Sequence, residues 1–477
     1  MKFFVKAKMA GKLLVLGMAF AVGGCCCLLG QGRGELREIQ LTFEPRNHEL
    51  DNNDNFSPDD QWLVYDTRKA VPGPPMQEVG ANGSIEKVNV RTGEIVVMYE
   101  TPHQTEYGPG VGAASYHPKE NKIVCMHGLL NCDAERPYGY WRRTGVMVDE
   151  LQPGKAVFLD ARDVTAPFTP GALRGGTHRH EWSGDGKWIG FTYNDAIMAE
   201  MEERTGEPVN PRTVGVATGI RPVTVDRDGE GENNQGIWFS ALVVKVVPHP
   251  TPGSDEISRA FSDAWVGTRG YRKEDGTWQR ARAFLGNVRD SKGKELTEVF
   301  VVDIPERIDI AGEDGPLEGT KTTMPMPPKG AVQRRLTRTE GRKYPGVAAE
   351  PRHWVRSSPD GSRISYLARD DAGITQVFLV SPLGGEPVQV THHERPIQST
   401  VRWNPNGEEI CYVCDNSIFI CEVGEGASFG IGRRMTARTD EPPVSPIWSH
   451  DGRLIAYNRA VANGRGIYKQ IFLLKLP

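Results

Sequence analysis

The sequence predicts an all-β fold, a β-propeller of seven four-stranded blades. Three observations lead to this fold class. A unit made of a tight turn and a strand recurs along the chain, the last three copies start about 45 residues apart, and the last copy lacks one strand that the N-terminal region can supply. About 45 residues is the spacing of propeller blades, which pack around an axis because a single sheet cannot bury both of its faces.

The geometry of the turn explains which residue types the unit contains. Pro presets the backbone angle of the turn, Asp or Asn hydrogen-bonds its own backbone, and Gly takes a positive φ before the alternating strand. The turn is explicit in six copies: FSPDDQWLVYDTR (56–68), YHPKENKIVCMHG (116–128), WSGDGKWIGFTYND (182–195), SSPDGSRISYLARDD (357–371), WNPNGEEICYVCDN (403–416) and WSHDGRLIAYNRA (448–460). Region 232–337 keeps the order of strands in a blade without that turn and predicts the seventh blade; without it, the count falls back to six.

The two ends of the chain predict how the ring closes. The last unit stops at QIFLLKLP, one strand short, whereas REIQLTFEP (37–45) has the pattern of an outer strand. An N-terminal strand that completes the last blade removes two exposed sheet edges. Residues 37–477 are therefore predicted to form a single propeller domain, with insertions at 127–143, 194–212 and 248–280. The first two insertions join the second strand of a blade to the third, which gathers their polar residues on one face.

The first 24 residues have the pattern of an export signal. Four lysines precede a run of about 12 apolar residues, which is too short to span a bilayer, and the segment VGGC that ends at Cys25 resembles a bacterial lipobox. We expect a lipoprotein signal over 1–24, lipidation at Cys25 with Cys26 or Cys27 as alternatives, and a linker over 25–36. The mature protein would be exported, as a periplasmic or outer-membrane-anchored lipoprotein that touches the membrane through its lipid anchor only. Ordinary signal cleavage that yields a soluble exported protein is the alternative.

The charge balance argues against nucleic acid as a partner. The formal net charge is −4, and it becomes −8 without the signal, which holds four lysines and no acid. A chain of this balance without a basic block is a poor non-specific binder of nucleic acid.

Five cysteines lie within the predicted propeller domain. In ICYVC, Cys411 and Cys414 are three apart on a strand and point to opposite faces, so we expect them, like Cys421, at buried apolar positions and not at a metal or redox site. Cys125 and Cys132 are a candidate disulfide.

A candidate metal site comes from the alignment of the repeats. Counting back five residues from the turn serine or its equivalent gives the positions that open onto the channel: Asn52, Gly112, His178, His353, Ser399 and Val444. Counting back three adds Asp54 and His180, and His48 and Gln398 lie nearby. Neutral imidazoles with an amide or carboxylate from separate blades suit a divalent ion such as Mn²⁺ or Zn²⁺.

The proposed metal ligands are His178, His180, His353 and Gln398. His178 and His180 are two apart in an extended segment, which projects both to the same side. Structural histidines, hydrogen-bonded to a neighbouring blade, are the alternative.

Five further residues are candidates for ligand binding. His48, Asn52 and Asp54 are predicted to lie at the mouth of the funnel. Arg142 and Arg143 belong to a basic, aromatic cluster in the first insertion, where guanidinium groups can bind carboxylates and aromatic faces can stack on sugars.

The repeat units resemble those of TolB-like propellers over essentially the whole chain after the signal. The phrases HELDNNDNFSPDDQWLVYDTR, GGTHRHEWSGDGKWIGFTYND and PGSDEISRAFSDAWVG resemble the YidR-like family of bacterial proteins. A more distant similarity is to oligogalacturonate lyases, seven-bladed propellers that hold a divalent metal with histidines and a glutamine in the central funnel.

Two functions are consistent with these observations. The first is an exported propeller that binds a glycan, such as a uronate, or a protein partner at the rim of its funnel. The alternative, implied by the resemblance to the lyases, is a metal-dependent carbon–oxygen lyase that cleaves a uronate by β-elimination. In that reaction the metal neutralises the substrate carboxylate, and a basic side chain such as Arg142, Arg143 or Arg352 takes the proton.

Overall fold

The repeat units fold into seven consecutive antiparallel sheets, which confirms the predicted seven-bladed propeller. The computed structural model describes residues 36–68, 80–464 and 466–477, so the predicted signal and Cys25 lie outside the described residues. The strands of blades 1 to 3 are Trp62–Asp66, Ser84–Asn89 and Ile95–Glu100; Val111–Tyr116, Lys122–Gly128, Arg143–Asp149 and Ala156–Phe158; and Gly175–Trp182, Trp188–Asp195, Thr213–Thr218 and Phe239–Leu242.

Blades 4 to 7 complete the ring. Their strands are Ala260–Trp265, Ala281–Arg289, Glu295–Asp303 and Val332–Arg335; Arg356–Ser357, Ile364–Arg369, Thr375–Val380 and Val388–Gln389; Arg402–Trp403, Glu409–Cys414, Ser417–Glu422 and Gly432–Arg434; and Val444–Trp448, Leu454–Asn463, Gly466–Lys475 and Arg37–Gln40. Two small two-stranded sheets accompany the blades: Ala161–Arg162 with Ala172–Leu173, and Tyr271–Arg272 with Trp278–Gln279. Blade 4 is the seventh blade that was predicted within 232–337.

Among the residues that the structure describes, blade 1 has only three regular strands, whereas blade 7 takes its fourth strand from the N-terminal region. In blade 1 the place of the inner strand is held by residues 49–56, which pair with the next strand only through the single bridges Glu49–Asp66 and Phe56–Leu63. In blade 7 the outer strand is Arg37–Gln40, which pairs antiparallel with Gly466–Lys475. The N-terminal strand therefore closes the last blade, as predicted.

A tryptophan at the end of the inner strand links blade 4 and blade 7 to the blade that precedes each of them. The indole N–H of Trp265 donates to the carbonyl of Glu181 at 3.0 Å, and that of Trp448 donates to the carbonyl of Arg402 at 3.2 Å. Each of these bonds joins one blade to the blade before it. Buried apolar side chains fill the spaces between blades, as Phe239 and Phe284 do between blades 3 and 4.

The insertion at 194–212 contains a helix, α1 (Ala196–Thr205). The side chain of Asp195 caps its first turn by accepting the Met198 N–H, and Gly206 ends it in the left-handed conformation at φ 73°. The run AIMAEMEERT thus forms a ten-residue helix. Within the described residues, no helix has the length and apolar character needed to cross a membrane.

The cysteines follow only part of the expectation. Cys411, Cys414 and Cys421 are buried, as predicted. The disulfide predicted between Cys125 and Cys132 is wrong, since both thiols are free. Cys125 packs in the apolar core between blades 1 and 2, whereas Cys132 lies in the insertion after the strand and faces the backbone of Gly108.

Candidate functional site

A cavity of about 990 Å³ opens at the mouth of the funnel and is lined by blades 1 to 5. All three predicted insertions reach it. The first contributes Tyr138, Tyr140 and Arg143, the second the stretch from Glu202 to Arg212, and the third the segment around Arg259. The rest of the wall comes from the bulge in the inner strand of blade 3 and from the loop that leads into blade 5.

Arginines dominate the charged part of this wall. Six of them line the cavity, and Arg68 is neutralised by Asp51 and Asp66. The other five form no salt bridge with any carboxylate in the described part of the chain: Arg143, Arg179, Arg212, Arg259 and Arg352. Four acids share the wall: Asp51 is paired with Arg68 and Asp263 with Arg282, while Glu202 and Glu350 form no salt bridge with these arginines in the described residues.

Each of these five guanidinium groups lies over an aromatic ring of the cavity wall. The distances from the guanidinium carbon to the ring centroid are 5.3 Å for Arg143 and 5.5 Å for Arg212 over Tyr140, 3.4 Å for Arg179 and 4.8 Å for Arg352 over Trp354, and 4.9 Å for Arg259 over Phe261. A cation–π contact orients a guanidinium without cancelling its charge, so its N–H groups stay free for an anionic partner.

Burial and the charges of neighbouring arginines lower the pKa of three of these five side chains. Burial, together with neighbouring arginines, lowers the pKa of both Arg179 and Arg212 to about 9. Burial and the charge of Arg352 also lower the pKa of Arg259. The pKa of His178 is held well below its usual value by burial and then by four surrounding arginines, so this imidazole is neutral at pH 7. An anion in the cavity would relieve all of these repulsions.

Arg179 owes its position to a β-bulge. The inner strands of blades 2, 3, 4 and 7 are each bulged at the same point, with Ala113, Arg179, Ser262 and Ser445 at positive φ between 53° and 62°. Only in blade 3 does this residue carry a long side chain. A bulge re-aims a side chain, and a left-handed non-glycine residue is a strain that functional sites commonly store.

Asn52 holds the bulge in place. Its Nδ2 donates to the carbonyls of Ala113 and His180, both at 2.7 Å, and its Oδ1 accepts from Nε of Arg179 at 3.4 Å. Asn52, predicted to bind a ligand, thus ties blades 1, 2 and 3 together beneath the cavity and orients the arginine that lines it.

The structure does not bring the four predicted metal ligands together. His178 lines the cavity, with its Nδ1 3.4 Å from Thr192 Oγ1. His180 is buried between blades 2 and 3, where its Nε2 lies 3.2 Å from Asp160 Oδ2 and directly against Gly145. The expected alternation fails because the bulge at Arg179 lies between the two histidines.

The other two predicted ligands are engaged in local hydrogen bonds. His353 Nδ1 is 2.9 Å from the carbonyl of Pro351 and its Nε2 accepts the N–H of Leu367, while Gln398 exchanges two hydrogen bonds with Asn416. No three His, Cys, Asp or Glu side chains in the described ranges are grouped as a metal site requires. The residues as placed do not fit a shared ion, and the divalent metal stays a prediction.

The predicted ligand-binding residues separate in the same way. Arg143 lines the cavity, but its neighbour Arg142 turns away and pairs with Glu232. His48 is buried beside the ring of Tyr65, 5.2 Å between centroids, and does not line the cavity. Asp54 is also absent from the cavity wall, and burial and the nearby Glu181 raise its pKa.

Sequence reasoning missed Arg179, Arg212 and Arg259. One signal was present: Arg143 begins the third strand of blade 2, and Arg212 immediately precedes the third strand of blade 3. The two arginines therefore take corresponding places at the ends of the two long insertions. Nothing in the sequence indicated that the side chain of Arg179 points into the cavity, because its direction depends on the bulge.

The ring of blades and the cationic cavity at its mouth define the class of this protein: a seven-bladed β-propeller with a funnel-mouth site. Residues 110–232 match the family model described as "Protein of unknown function (DUF3748)". The chain is 44% identical over 427 residues to "Uncharacterized protein YidR" of Escherichia coli strain K12, which covers 88% of this chain and 94% of that protein. The chain belongs to the YidR family, as the sequence resemblance implied.

Two solved structures align with this chain. An oligogalacturonate lyase in complex with manganese aligns with a TM-score of 0.50 and 12% identity, covering 92% of this chain and 93% of the lyase. The structure of putative TolB from Agrobacterium tumefaciens aligns with a TM-score of 0.37 and 14% identity, covering 83% of this chain and 98% of that one. At this identity, the likeness to the lyase shows the fold alone.

Proposed function

We propose that this protein binds an acidic glycan, one that carries uronate carboxylates, in the cavity at the mouth of its funnel. The observation that carries this proposal is the set of five guanidinium groups that line the cavity without a carboxylate partner in the described residues, each over an aromatic ring.

Both halves of this arrangement match a sugar acid. Guanidinium groups bind carboxylates through paired N–H bonds, and burying Arg143 and Arg179 without a carboxylate is costly, so a ligand would supply the missing negative charge. Tyr140 is 41% exposed, so part of its ring remains accessible to pack against a sugar. The cavity volume lies at the upper end of the roughly 300–1,000 Å³ that is typical of ligand sites.

The expected location of the protein fits such a ligand. The export signal predicted over 1–24 and the lipid anchor predicted at Cys25 would place the propeller in the periplasm or at the outer membrane, with membrane contact through the anchor only. A glycan reaches the funnel there without crossing a further barrier. A protein partner that presents acidic side chains at the same rim is the competing occupant.

Calorimetric titration tests the proposal. We expect oligosaccharides of uronic acids to bind, neutral oligosaccharides of equal length not to bind, and the affinity to fall as salt is raised, because the attraction is ionic. Equal binding of neutral and acidic sugars, or binding of neither, would contradict the proposal. An acidic protein captured in place of the sugars would identify the competing occupant.

A second candidate function is cleavage of the bound uronate by β-elimination. The observation that favours it is His178, a neutral imidazole in the cavity wall among the arginines. The arginines would neutralise the uronate carboxylate and so acidify the adjacent C–H, and His178 would accept that proton. The C–O bond to the leaving sugar would break as a C=C bond forms, with the leaving oxygen protonated by solvent. No step is assigned to a metal, because the predicted ligands do not form a shared site here.

Ultraviolet absorbance separates binding from cleavage. A lyase produces an unsaturated uronate that absorbs in the ultraviolet, and His178→Gln should abolish the signal while uronate binding persists. The assay is run with and without Mn²⁺. Binding without any new absorbance under either condition would exclude this elimination and leave the binding function.

A further inference from the structure

The guanidinium groups of the cavity form two separate pairs, each built around one aromatic ring. Arg143 and Arg212 lie over Tyr140, and we call them the Tyr140 pair. Arg179 and Arg352 lie over Trp354, and we call them the Trp354 pair. The Tyr140 pair comes from the two long insertions of blades 2 and 3. The Trp354 pair comes from the bulge of blade 3 and the loop leading into blade 5.

Each pair contains one deeply buried guanidinium that has no carboxylate partner in the described residues and only one neutral hydrogen-bond partner. Arg143 is only 2% exposed, and its Nε and Nη2 have no hydrogen-bond partner in the described structure. Arg179 is 8% exposed, and its Nη1 has none. A buried, unsatisfied cation is among the most costly features a fold can retain. The cost therefore occurs twice in one cavity, once in each pair.

The two pairs meet along the inner strand of blade 3. Gly176 lies against the backbone of Tyr140, and Arg179, whose guanidinium lies over Trp354, follows three residues later in the same strand. The two pairs therefore share one short stretch of cavity wall, and a single small ligand can reach both. One carboxylate at one pair leaves the buried guanidinium of the other pair unsatisfied.

We infer that the cavity holds two carboxylate subsites, one at each arginine pair, and selects ligands that present two carboxylates on a short spacer, such as two linked uronate residues. This inference rests on the proposed binding function and specifies its ligand class. It follows from the pairing of the arginines over two rings and from the buried, unpartnered guanidinium in each pair.

The test compares ligands with one and two carboxylates by calorimetry on the full chain. The probes are glucuronic acid, a disaccharide of two linked uronic acids, and straight-chain mono- and dicarboxylates of matched length. We expect the di-uronide to bind at least about 100-fold more tightly than the monomer, because the second contact is intramolecular. Among the chains, dicarboxylates of one preferred length should bind and monocarboxylates should bind weakly.

Substitutions then assign the subsites. Arg143→Gln and Arg179→Gln should each reduce di-uronide affinity to about that of the monomer in the native protein, yet lower monomer affinity only about twofold, because one subsite remains. The double variant should bind neither. Arg307→Gln, which removes a surface arginine paired with Asp309, is the matched control and should bind like the native protein. Arg143→Lys keeps the charge, and its affinity should fall between those of the native protein and Arg143→Gln. Thermal melts confirm that each variant is folded.

The outcomes separate this inference from the glycan proposal. Equal affinity for monomer and di-uronide, or loss of monomer binding in either single variant, overturns the two subsites and leaves glycan binding standing. Preference for dicarboxylate chains with no binding of any sugar supports the two subsites and overturns the glycan. Binding of none of the probes overturns both.

Discussion

Buried arginines occupy two contrasting environments in this propeller. Within and between the blades Arg174 and Arg356 have carboxylate partners: Nε of Arg174 lies 2.8 Å from Asp195, and Nη1 of Arg356 lies 2.5 Å from Glu181. Arg402, outside the cavity, is held instead by Asn53 Oδ1 and the carbonyl of Asn52. At the mouth of the funnel, Arg143 and Arg179 are also buried and form no salt bridge in the described residues, although the charge of Asp51 attracts Arg179. The same side chain at similar burial is neutralised in one region and left charged in the other.

The contrast distinguishes arginines that stabilise the fold through ion pairs from arginines whose charge is available to a ligand. A paired arginine satisfies the polar groups around it, and removing its partner destabilises the fold. An unpaired buried arginine makes the opposite contribution, since the fold bears its desolvation cost and receives no ion pair in return. Retaining two such residues, Arg143 and Arg179, in one cavity favours a counter-charge that comes from a ligand.

The largest effect is expected on the paired side, from Asp195→Ala. This carboxylate is fully buried and accepts from Arg174, from the hydroxyl of Tyr193 and from the N-terminus of helix α1. We expect its removal to lower the free energy of unfolding by about 3–5 kcal/mol, because Arg174 remains as an uncompensated buried charge. Urea unfolding followed by circular dichroism measures the loss.

Asp309→Ala is the control for this prediction, since it breaks an ion pair with the exposed Arg307. Its unfolding midpoint should stay at the native value. If both aspartate variants unfold at the same urea concentration, the paired region does not have the structural role assigned to it.

An intermediate effect is expected from pH, through His353 in the cavity wall. Burial lowers its pKa to about 4, from an ordinary value near 6.5. Between pH 6.5 and pH 4 the unfolded chain therefore binds a proton that the folded chain does not, so stability is present above pH 6.5 and is lost as the pH falls. This one histidine accounts for a loss of about 3 kcal/mol by pH 4. His353→Gln should flatten the dependence of the unfolding free energy on pH.

His450 gives the opposite sign and serves as the control. Although burial opposes it, the hydrogen bond and charge of Asp60 raise its pKa above 6.5. Its contribution is therefore present at low pH and is lost as the pH rises through the folded pKa. His450→Gln should steepen the loss of stability on acidification, and a flatter profile would show that the assigned pairing with Asp60 is wrong.

The propeller could be predicted from sequence because each blade carries its own local signals. The turn residues fix a tight turn, and in blades 6 and 7 the tryptophan before it, Trp403 or Trp448, ends the inner strand and bonds to the preceding blade. Blade 4 lacks the turn signature but keeps the order of its strands. The closing strand at Arg37–Gln40 was predictable because the last blade was one strand short.

The site was only partly predictable, because it is assembled from five blades. Arg142 and Arg143 are neighbours, and which of them enters the cavity depends on where the third strand of blade 2 begins. The alternation expected for His178 and His180 is broken by a bulge whose residue is Arg179. The bulged residue is alanine in blade 2, arginine in blade 3 and serine in blades 4 and 7, so no single residue type marks the bulge in the sequence.

The smallest effect on stability is expected on the unpaired side, from Arg143→Met. Methionine keeps most of the apolar stem and removes a buried charge that has no carboxylate partner, so the free energy of unfolding should stay unchanged or rise by up to about 1 kcal/mol. Arg142→Met, one residue away, removes the ion pair with Glu232 and should lower it. Urea unfolding of the two variants side by side tests the contrast within a single dipeptide. A loss at Arg143 as large as that at Asp195 would mean that its charge is structural, and the cavity would then lose its strongest claim to an anionic ligand.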